Sequence, residues 1–152
     1  MSRLSYRDAR AADLGFIVRL IVDDSVAATP DKPDRPDHPR YLAALAAIDA
    51  DPNQRLVVAE LAGRPVGTLQ LTFIPGINRL GEWRCLVEAV HVAPDHRNLG
   101  LGSEMIRWAV AEARARGCGL VQLTSNKKRL DAHRFYERLG FQKSHEGFKL
   151  AL

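Results

Sequence analysis

The stretch Leu86-Val87-Glu88-Ala89-Val90-His91-Val92-Ala93-Pro94-Asp95-His96-Arg97-Asn98-Leu99-Gly100-Leu101-Gly102-Ser103 decides how this chain reads. It begins as an apolar run interrupted at Glu88 and His91 and passes Pro94-Asp95. It ends on Arg97-Asn98-Leu99-Gly100-Leu101-Gly102, from which a long helical pattern starts at once. A strand, a short turn, two glycines and a helix make a cradle for an anion. Glycine lets a ligand approach the backbone closely. The first turn of the helix adds amides without intrahelical partners and a partial positive charge. Together these suit phosphate or pyrophosphate.

Two well-known phosphate loops do not fit. A Walker loop would follow its last glycine with Lys and Ser or Thr, whereas Gly102 is followed by Ser103-Glu104. A dinucleotide fingerprint would place a third glycine or alanine where Met105 stands, and Leu120–Thr124 offers no acidic residue to a ribose. What remains is Arg97-x-x-Gly100-x-Gly102.

Downstream, Leu101–Arg116 is the longest predicted helix. Ile106, Ala109, Val110 and Ala113 form one stripe, with Met105 and Trp108 beside it as core residues. Gly117 closes it. Leu120–Thr124 reads as a buried strand and Ser125–Leu130 as a basic loop. Asp131 reads as the N-cap of a helix over Ala132–Leu139, and Phe141–Leu150 as one or two last strands. Upstream, Leu4–Arg7 is a short strand and Ala11–Val22 a helix with Asp13 in its first turn. In Asp23–Pro39, Pro30, Pro33, Pro36 and Pro39 recur every third residue, which predicts an extended, exposed loop. A second short helix covers Tyr41–Ile48. Arg55–Leu61 and Val66–Ile74 flank the hairpin signal Ala62-Gly63-Arg64-Pro65, and Trp83–Val92 is the next strand. The order β-α-α-β-β-β-α-β-α-β predicts an α/β layered fold with a mixed sheet, in one domain over residues 1–152.

Charge points to the same half of the chain. Residues 1–80 hold 10 Lys and Arg against 10 Asp and Glu, while residues 81–152 hold 12 against 8, so the cradle half carries the whole excess of +4. An anionic ligand would use that field. Basic residues do not interleave with aromatics, so no nucleic-acid partner is expected. Two cysteines form neither a disulfide framework nor a metal-ligand spacing. With a polar Met1–Arg10 and no long apolar run, the expectation is a cytoplasmic protein without a membrane partner or a metal.

Thirty residues past Gly102 comes Ala132-His133-Arg134-Phe135-Tyr136-Glu137-Arg138-Leu139-Gly140-Phe141. A helix carrying a tyrosine and closed by Gly-Phe, together with Arg97-x-x-Gly100-x-Gly102, resembles the GNAT N-acetyltransferase superfamily, in particular its small bacterial single-domain members. Asn126, ten residues before Tyr136, matches a further family position. The resemblance implies a mostly antiparallel central sheet flanked by helices, with the fourth and fifth strands splayed apart. Acetyl-CoA would lie in that gap, its pantetheine arm on the backbone of Val90, His91 and Val92. Its pyrophosphate would meet the amides of Arg97, Asn98, Leu99, Gly100, Leu101, Gly102 and Ser103. Asn126 and His133 would contact the cofactor. Lys127, Lys128 and Arg129 would either meet its remaining phosphate or form a solvated charged loop.

The chemistry then has named candidates. A protonated amine must lose a proton before it attacks a thioester, and a nearby carboxylate can take it. Glu88 matches the family's base, and Tyr136 matches the acid that protonates the departing thiolate. The backbone N–H near Val90 is the candidate donor to the carbonyl oxygen. Simple strand alternation puts Glu88, Val90 and Val92 on one face and His91 on the other, which separates His91 from the base unless a bulge or splay intervenes. His133 shares a helix face with Tyr136. The leading expectation is an acetyl-CoA-dependent N-acetyltransferase for a small-molecule primary amine, by direct attack, with a homodimer as in many family members. The alternatives are acetylation of a protein Lys or N-terminus, and a non-catalytic acyl-CoA-binding regulatory module.

Overall fold

Five strands form one sheet in the order β1 to β5: β1 Leu4–Asp8, β2 Gln54–Leu61, β3 Arg64–Ile74, β4 Arg84–Val92 and β5 Leu120–Gln122. The first four pair antiparallel and β4 pairs β5 in parallel, so the sheet is mixed, as the sequence predicts. The computed structural model describes Ser2–Leu152. These residues fall into two compact units divided after Gln122, each described by itself.

In the first unit, a 3-10 turn at Ala11–Asp13 leads into α1 (Leu14–Asp23), and α2 covers Pro39–Ala50. Ile17 of α1 joins Ala9 and Val58 in a buried cluster, with Phe16, Ile21 and Leu56 packed against it. This is one face of the sheet. The other face carries Val57, Leu69, Leu71, Phe73, Cys85 and Val87, all at most 2% exposed. It meets the longest helix, α4 (Leu101–Ala115), through Met105, Ile106, Ala109 and Ala113. Gly67 is required there: a Cβ on it would stand 2.8 Å from Met105 Sδ and 2.9 Å from the His91 carbonyl. Trp108 stacks on Tyr6 of β1, ring centroids 4.2 Å apart.

Buried ion pairing fixes the start of α1. Asp13 accepts from Arg7 Nη1 at 2.8 Å and Nη2 at 2.9 Å and from the Arg10 amide at 2.7 Å. Arg7 Nε also donates to Glu60 at 2.7 Å. The Arg7 guanidinium holds the Asp13 carboxyl below its ordinary value.

The Asp23–Pro39 segment is largely exposed, as expected, but Lys32–His38 within it is not extended as the proline period predicts. It folds into two consecutive turns, with the Arg35 amide on the Lys32 carbonyl and the His38 amide on the Arg35 carbonyl, each at 3.0 Å. Pro33 and Pro36 each occupy the second position of a four-residue turn, which their fixed φ favours. Tyr41 of α2 fastens the loop, receiving the Lys32 amide at 2.8 Å and donating to Asp31 at 3.0 Å. Between β3 and β4 lies a four-residue turn, α3 (Asn78–Gly81), with left-handed φ at Arg79, Leu80 and Gly81. The predicted buried strand Leu120–Thr124 is instead the edge strand β5, which ends at Gln122 and leaves Leu120 exposed.

The second unit, Leu123–Leu152, holds α5 (Leu130–Arg138). Asp131 lies inside its first turn, paired with Arg134, and the N-cap position falls on Arg129. No strand occurs among the described residues after Gln122. Phe141–Leu150 is expected to supply one or two, but a strand needs a neighbour to take its backbone donors and acceptors. Phe148, Leu150 and Leu152 have no such cover, and their side chains are exposed.

Candidate active site

The site begins where β4 stops being regular. Its first three residues, Arg84, Cys85 and Leu86, pair with β5, and the ladder ends at Leu86 opposite Gln122. Val87 to Val92 therefore have no β5 partner, in keeping with the parting of fourth and fifth strands that the family resemblance implies. On the β3 side, Gln70 stands opposite Glu88 and Thr68 opposite His91. Two β4 residues, Ala89 and Val90, thus oppose the single residue Leu69. This is a β-bulge, and Ala89 adopts a left-handed φ of 49° to make it.

The bulge overturns the expected facing of His91. Thr68 and Gln70 are two apart on β3 and share a face, so their partners His91 and Glu88 share it too. Glu88 and His91 both belong to the α1 side of the sheet, not to opposite sides. Glu88 is exposed rather than buried in its strand, and no hydrogen bond or ion pair engages its carboxylate among the described residues. His91 Nδ1 is 2.8 Å from Asp24 Oδ2, at the C-cap of α1.

Past the bulge the backbone turns outward. The Ala93 amide donates to the Val66 carbonyl of β3 at 2.8 Å, so the Val92 amide, one residue earlier, faces the unpaired side. The Val92 carbonyl accepts from Arg97 Nε at 3.2 Å. A 3-10 turn at Pro94–His96 then leads to the glycine loop. Asn98 and Gly100 take left-handed φ of 62° and 79°, which aims the chain into α4. The first helical bond runs from the Glu104 amide to the Gly100 carbonyl. Among the described residues, no amide from Asn98 to Ser103 donates to a backbone carbonyl outside the helix. Arg3 braces this loop from β1's entry, donating to the Leu99 carbonyl at 2.7 Å and pairing with Glu104 at 2.6 Å. The amide row suits an anion, and the unpaired β4 edge suits an extended amide-bearing chain.

In the second unit, His133 Nε2 donates to the Asn126 carbonyl at 2.9 Å, while Asn126 Oδ1 accepts from the Lys128 amide at 2.9 Å. The two predicted contacts, Asn126 and His133, are therefore bonded to each other. Tyr136 stacks edge-on with Phe135 and Phe141, and its carbonyl accepts the Phe141 amide at 3.1 Å. Lys127 pairs with Glu146 at 3.4 Å. Burial pushes the Cys85 thiol up to about 12 and also raises that of Cys118. Both shifts disfavour the nucleophilic thiolate. Among the described residues, no three His, Cys, Asp or Glu side chains gather as a metal centre, and no helix is long and apolar enough to cross a membrane.

A sequence profile of the acetyltransferase (GNAT) family matches residues 12–141. The chain belongs to this family. An aminoalkylphosphonate N-acetyltransferase of Salmonella typhimurium is 40% identical over 105 residues, covering 67% of this chain and 66% of its own length. A glucosamine 6-phosphate N-acetyltransferase of Trypanosoma brucei brucei is 37% identical over 90 residues, 59% of each chain. The match thus spans less than two thirds of either enzyme. A crystal structure from Bacillus halodurans, described as a transcriptional regulator, superposes with a TM-score of 0.92 at 39% identity, covering 98% of this chain and 99% of that one.

Within this GNAT chain, the first unit brings together Glu88, Val90, His91, Val92 and the loop Arg97–Ser103, while Asn126, His133 and Tyr136 gather in the second. Two residues of this neighbourhood escape a reading by motif. Asp24 sits 67 positions from His91 and carries no local signal beyond being an acid at a helix end. Arg3, ahead of the first strand, reads as an ordinary surface cation.

Proposed function

We propose that this GNAT-family chain transfers an acetyl group from acetyl-CoA to the primary amine of a small molecule by direct attack on the thioester. The observation that carries the reading is the β5-free edge of β4 followed, after the turn at Pro94–His96, by the amide row of Asn98–Ser103. In this reading the amides of Asn98, Leu99, Gly100, Leu101, Gly102 and Ser103 bind the pyrophosphate of CoA; the Arg97 amide, expected to join them, instead donates to the Pro94 carbonyl at 3.4 Å and closes the 3-10 turn. The backbone of Val90, His91 and Val92 holds its pantetheine arm, and Asn126 and His133 supply further contacts. Bound acetyl-CoA supplies an activated acyl carbon. The chain's own task is to deprotonate the acceptor amine, polarise the carbonyl and protonate the sulfur. Glu88, exposed and unengaged, serves as base. The Val90 amide donates to the carbonyl oxygen, and Tyr136 donates to the thiolate. The raised thiols of Cys85 and Cys118 favour direct attack over an acyl-cysteine route.

Both enzyme relatives are named for amines that carry a phosphonate or a phosphate. Aminoalkylphosphonates and amino-sugar phosphates therefore head the acceptor panel, followed by polyamines, aminoglycosides, amino acids and short peptides. The test is free-thiol release from acetyl-CoA with each amine. Amine-dependent release with a small molecule is the expected result, and release only with peptides moves the assignment to protein acetylation. The Bacillus halodurans neighbour's description favours one second reading, a regulatory CoA-binding module. CoA binding with no thiol release on any amine would establish that reading instead.

A further inference from the structure

The bulge does more than re-aim a strand, because it hands His91 to a partner. We propose that Asp24 and His91 form a dyad that acts as a second proton acceptor beside Glu88, with His91 as the catalytic residue and Asp24 as its positioning residue. The proposal rests on the acyl-transfer reading above.

Four observations carry it. First, the β4 register, two residues against Leu69, places His91 on the face of Glu88. Second, Asp24 Oδ2 lies 2.8 Å from His91 Nδ1. An ionised carboxylate can only accept, so Nδ1 carries the hydrogen and, in the neutral ring, the lone pair stays on Nε2. Third, the pair is sheltered without being sealed, with the two side chains 13% and 22% exposed. An acid that orients an imidazole from one nitrogen while the other stays free for a proton is the arrangement general-base catalysis needs. Fourth, Arg97 lies within 4.0 Å of Asp24 Oδ1 while its Nε holds the Val92 carbonyl. The loop proposed to bind CoA is thereby tied to the carboxylate that orients the base. Among the described residues, the charged groups facing His91 include Glu88 on its own strand, Asp24 from α1 and Arg97 from the turn after β4, with uncharged Thr68 opposite.

The proton balance is simple. An acceptor ammonium gives one proton to His91 Nε2, forming imidazolium and a free amine. The amine nitrogen forms a bond to the acyl carbon, Glu88 takes the nitrogen's surplus proton and passes it to solvent, the carbon–sulfur bond breaks, and Tyr136 protonates the thiolate and is reprotonated from solvent, giving amide and free thiol. Imidazolium then returns its proton to solvent.

The test uses the full chain and the amine that gives the best thiol release, so the parent's activity checks the acyl-transfer reading before any variant is made. His91→Ala should retain CoA affinity within about twofold and lose about 100-fold in single-turnover rate. Added imidazole should restore a substantial part of that rate, which a structural role would not allow. Asp24→Asn should lower kcat with KM for the amine little changed, and Asp24→Glu should recover part of the loss. Asp24→Asn combined with His91→Ala should be no slower than His91→Ala alone, because the two act as one unit. Parental single-turnover chemistry in His91→Ala, or a loss that imidazole does not touch, overturns the dyad while leaving the acetyltransferase reading intact. Multiplying losses in the double variant would overturn the positioning role of Asp24.

Discussion

The two halves of β4 differ although they belong to one strand. Arg84 to Val87 run regularly between β3 and β5 or beside them, and Cys85 and Val87 are buried against α4's side of the sheet. Glu88 to Val92 lack β5, carry a bulge with a left-handed alanine, and present a carboxylate and an imidazole. The first half is held on both edges and serves the core. The second half gives up one edge, and the backbone groups left over are available to a ligand. In the proposed reading, the sheet acquires its site by ending this ladder early.

Changes in the second half should act on chemistry and spare the fold. The largest effect belongs to Glu88→Gln, which should keep CoA binding and slow turnover by about 100- to 10,000-fold at neutral pH. Part of the loss should return at high pH, where more acceptor amine is already free. A variant whose rate and pH profile match the parent's would make Glu88 a bystander on that face.

Tyr136→Phe comes next. It removes one hydroxyl and keeps the ring contacts with Phe135 and Phe141. Single-turnover rates should fall about tenfold to a thousandfold, with melting temperature and CoA affinity near the parent's. A sharp drop in melting temperature with unchanged chemistry would assign Tyr136 to packing instead.

The glycine loop should respond in affinity. Gly100 has a φ of +79°, a conformation that valine adopts only at a cost. Gly100→Val, and likewise Gly102→Val, should weaken CoA binding about tenfold or more, read by titration calorimetry. Unchanged affinity in both would remove the loop from the site.

The first half of β4 should behave in the opposite way. Val87→Ala should cost about 2 kcal/mol of folding stability, measured by urea denaturation, with kcat of the folded fraction near the parent's. A catalytic loss larger than the stability loss would show that the two halves are not separable.

A stability effect of similar size concerns the anchor of α1, the helix that brings Asp24 to the bulge. Asp13→Asn weakens a bidentate pair with Arg7 and should cost roughly 2 kcal/mol. Because Arg7 lowers the folded-state value of Asp13, this stabilisation is present above the ordinary carboxyl range and is lost as pH falls through the lowered folded value. The difference between parent and variant should therefore shrink in acid, and a gap independent of pH would point to packing at Asp13.

Much of this was legible by eye in the chain. The stripe of α4, the hairpin at Ala62-Gly63, the glycine loop and the tyrosine helix each depend on residues within about one turn or one strand of each other. The acidic proline loop misled, because a three-residue proline period fits both an extended helix and successive turns, and Tyr41 and the turn hydrogen bonds select the second. Phe141–Leu150 misled because a stretch long enough for one or two strands says nothing about a partner strand.

The amino-acid order by itself determined the local elements, the glycine turn, the family and the identity of Glu88 and Tyr136 as candidates. Only the tertiary structure decided which way His91 faces and what it meets. Alternation holds while strands pair one residue to one, and the extra residue opposite Leu69 exists only in the pairing of β3 with β4. The bond from Asp24 to His91 joins positions 67 apart. It is set by where α1 packs on the sheet, and no local pattern in either stretch encodes it.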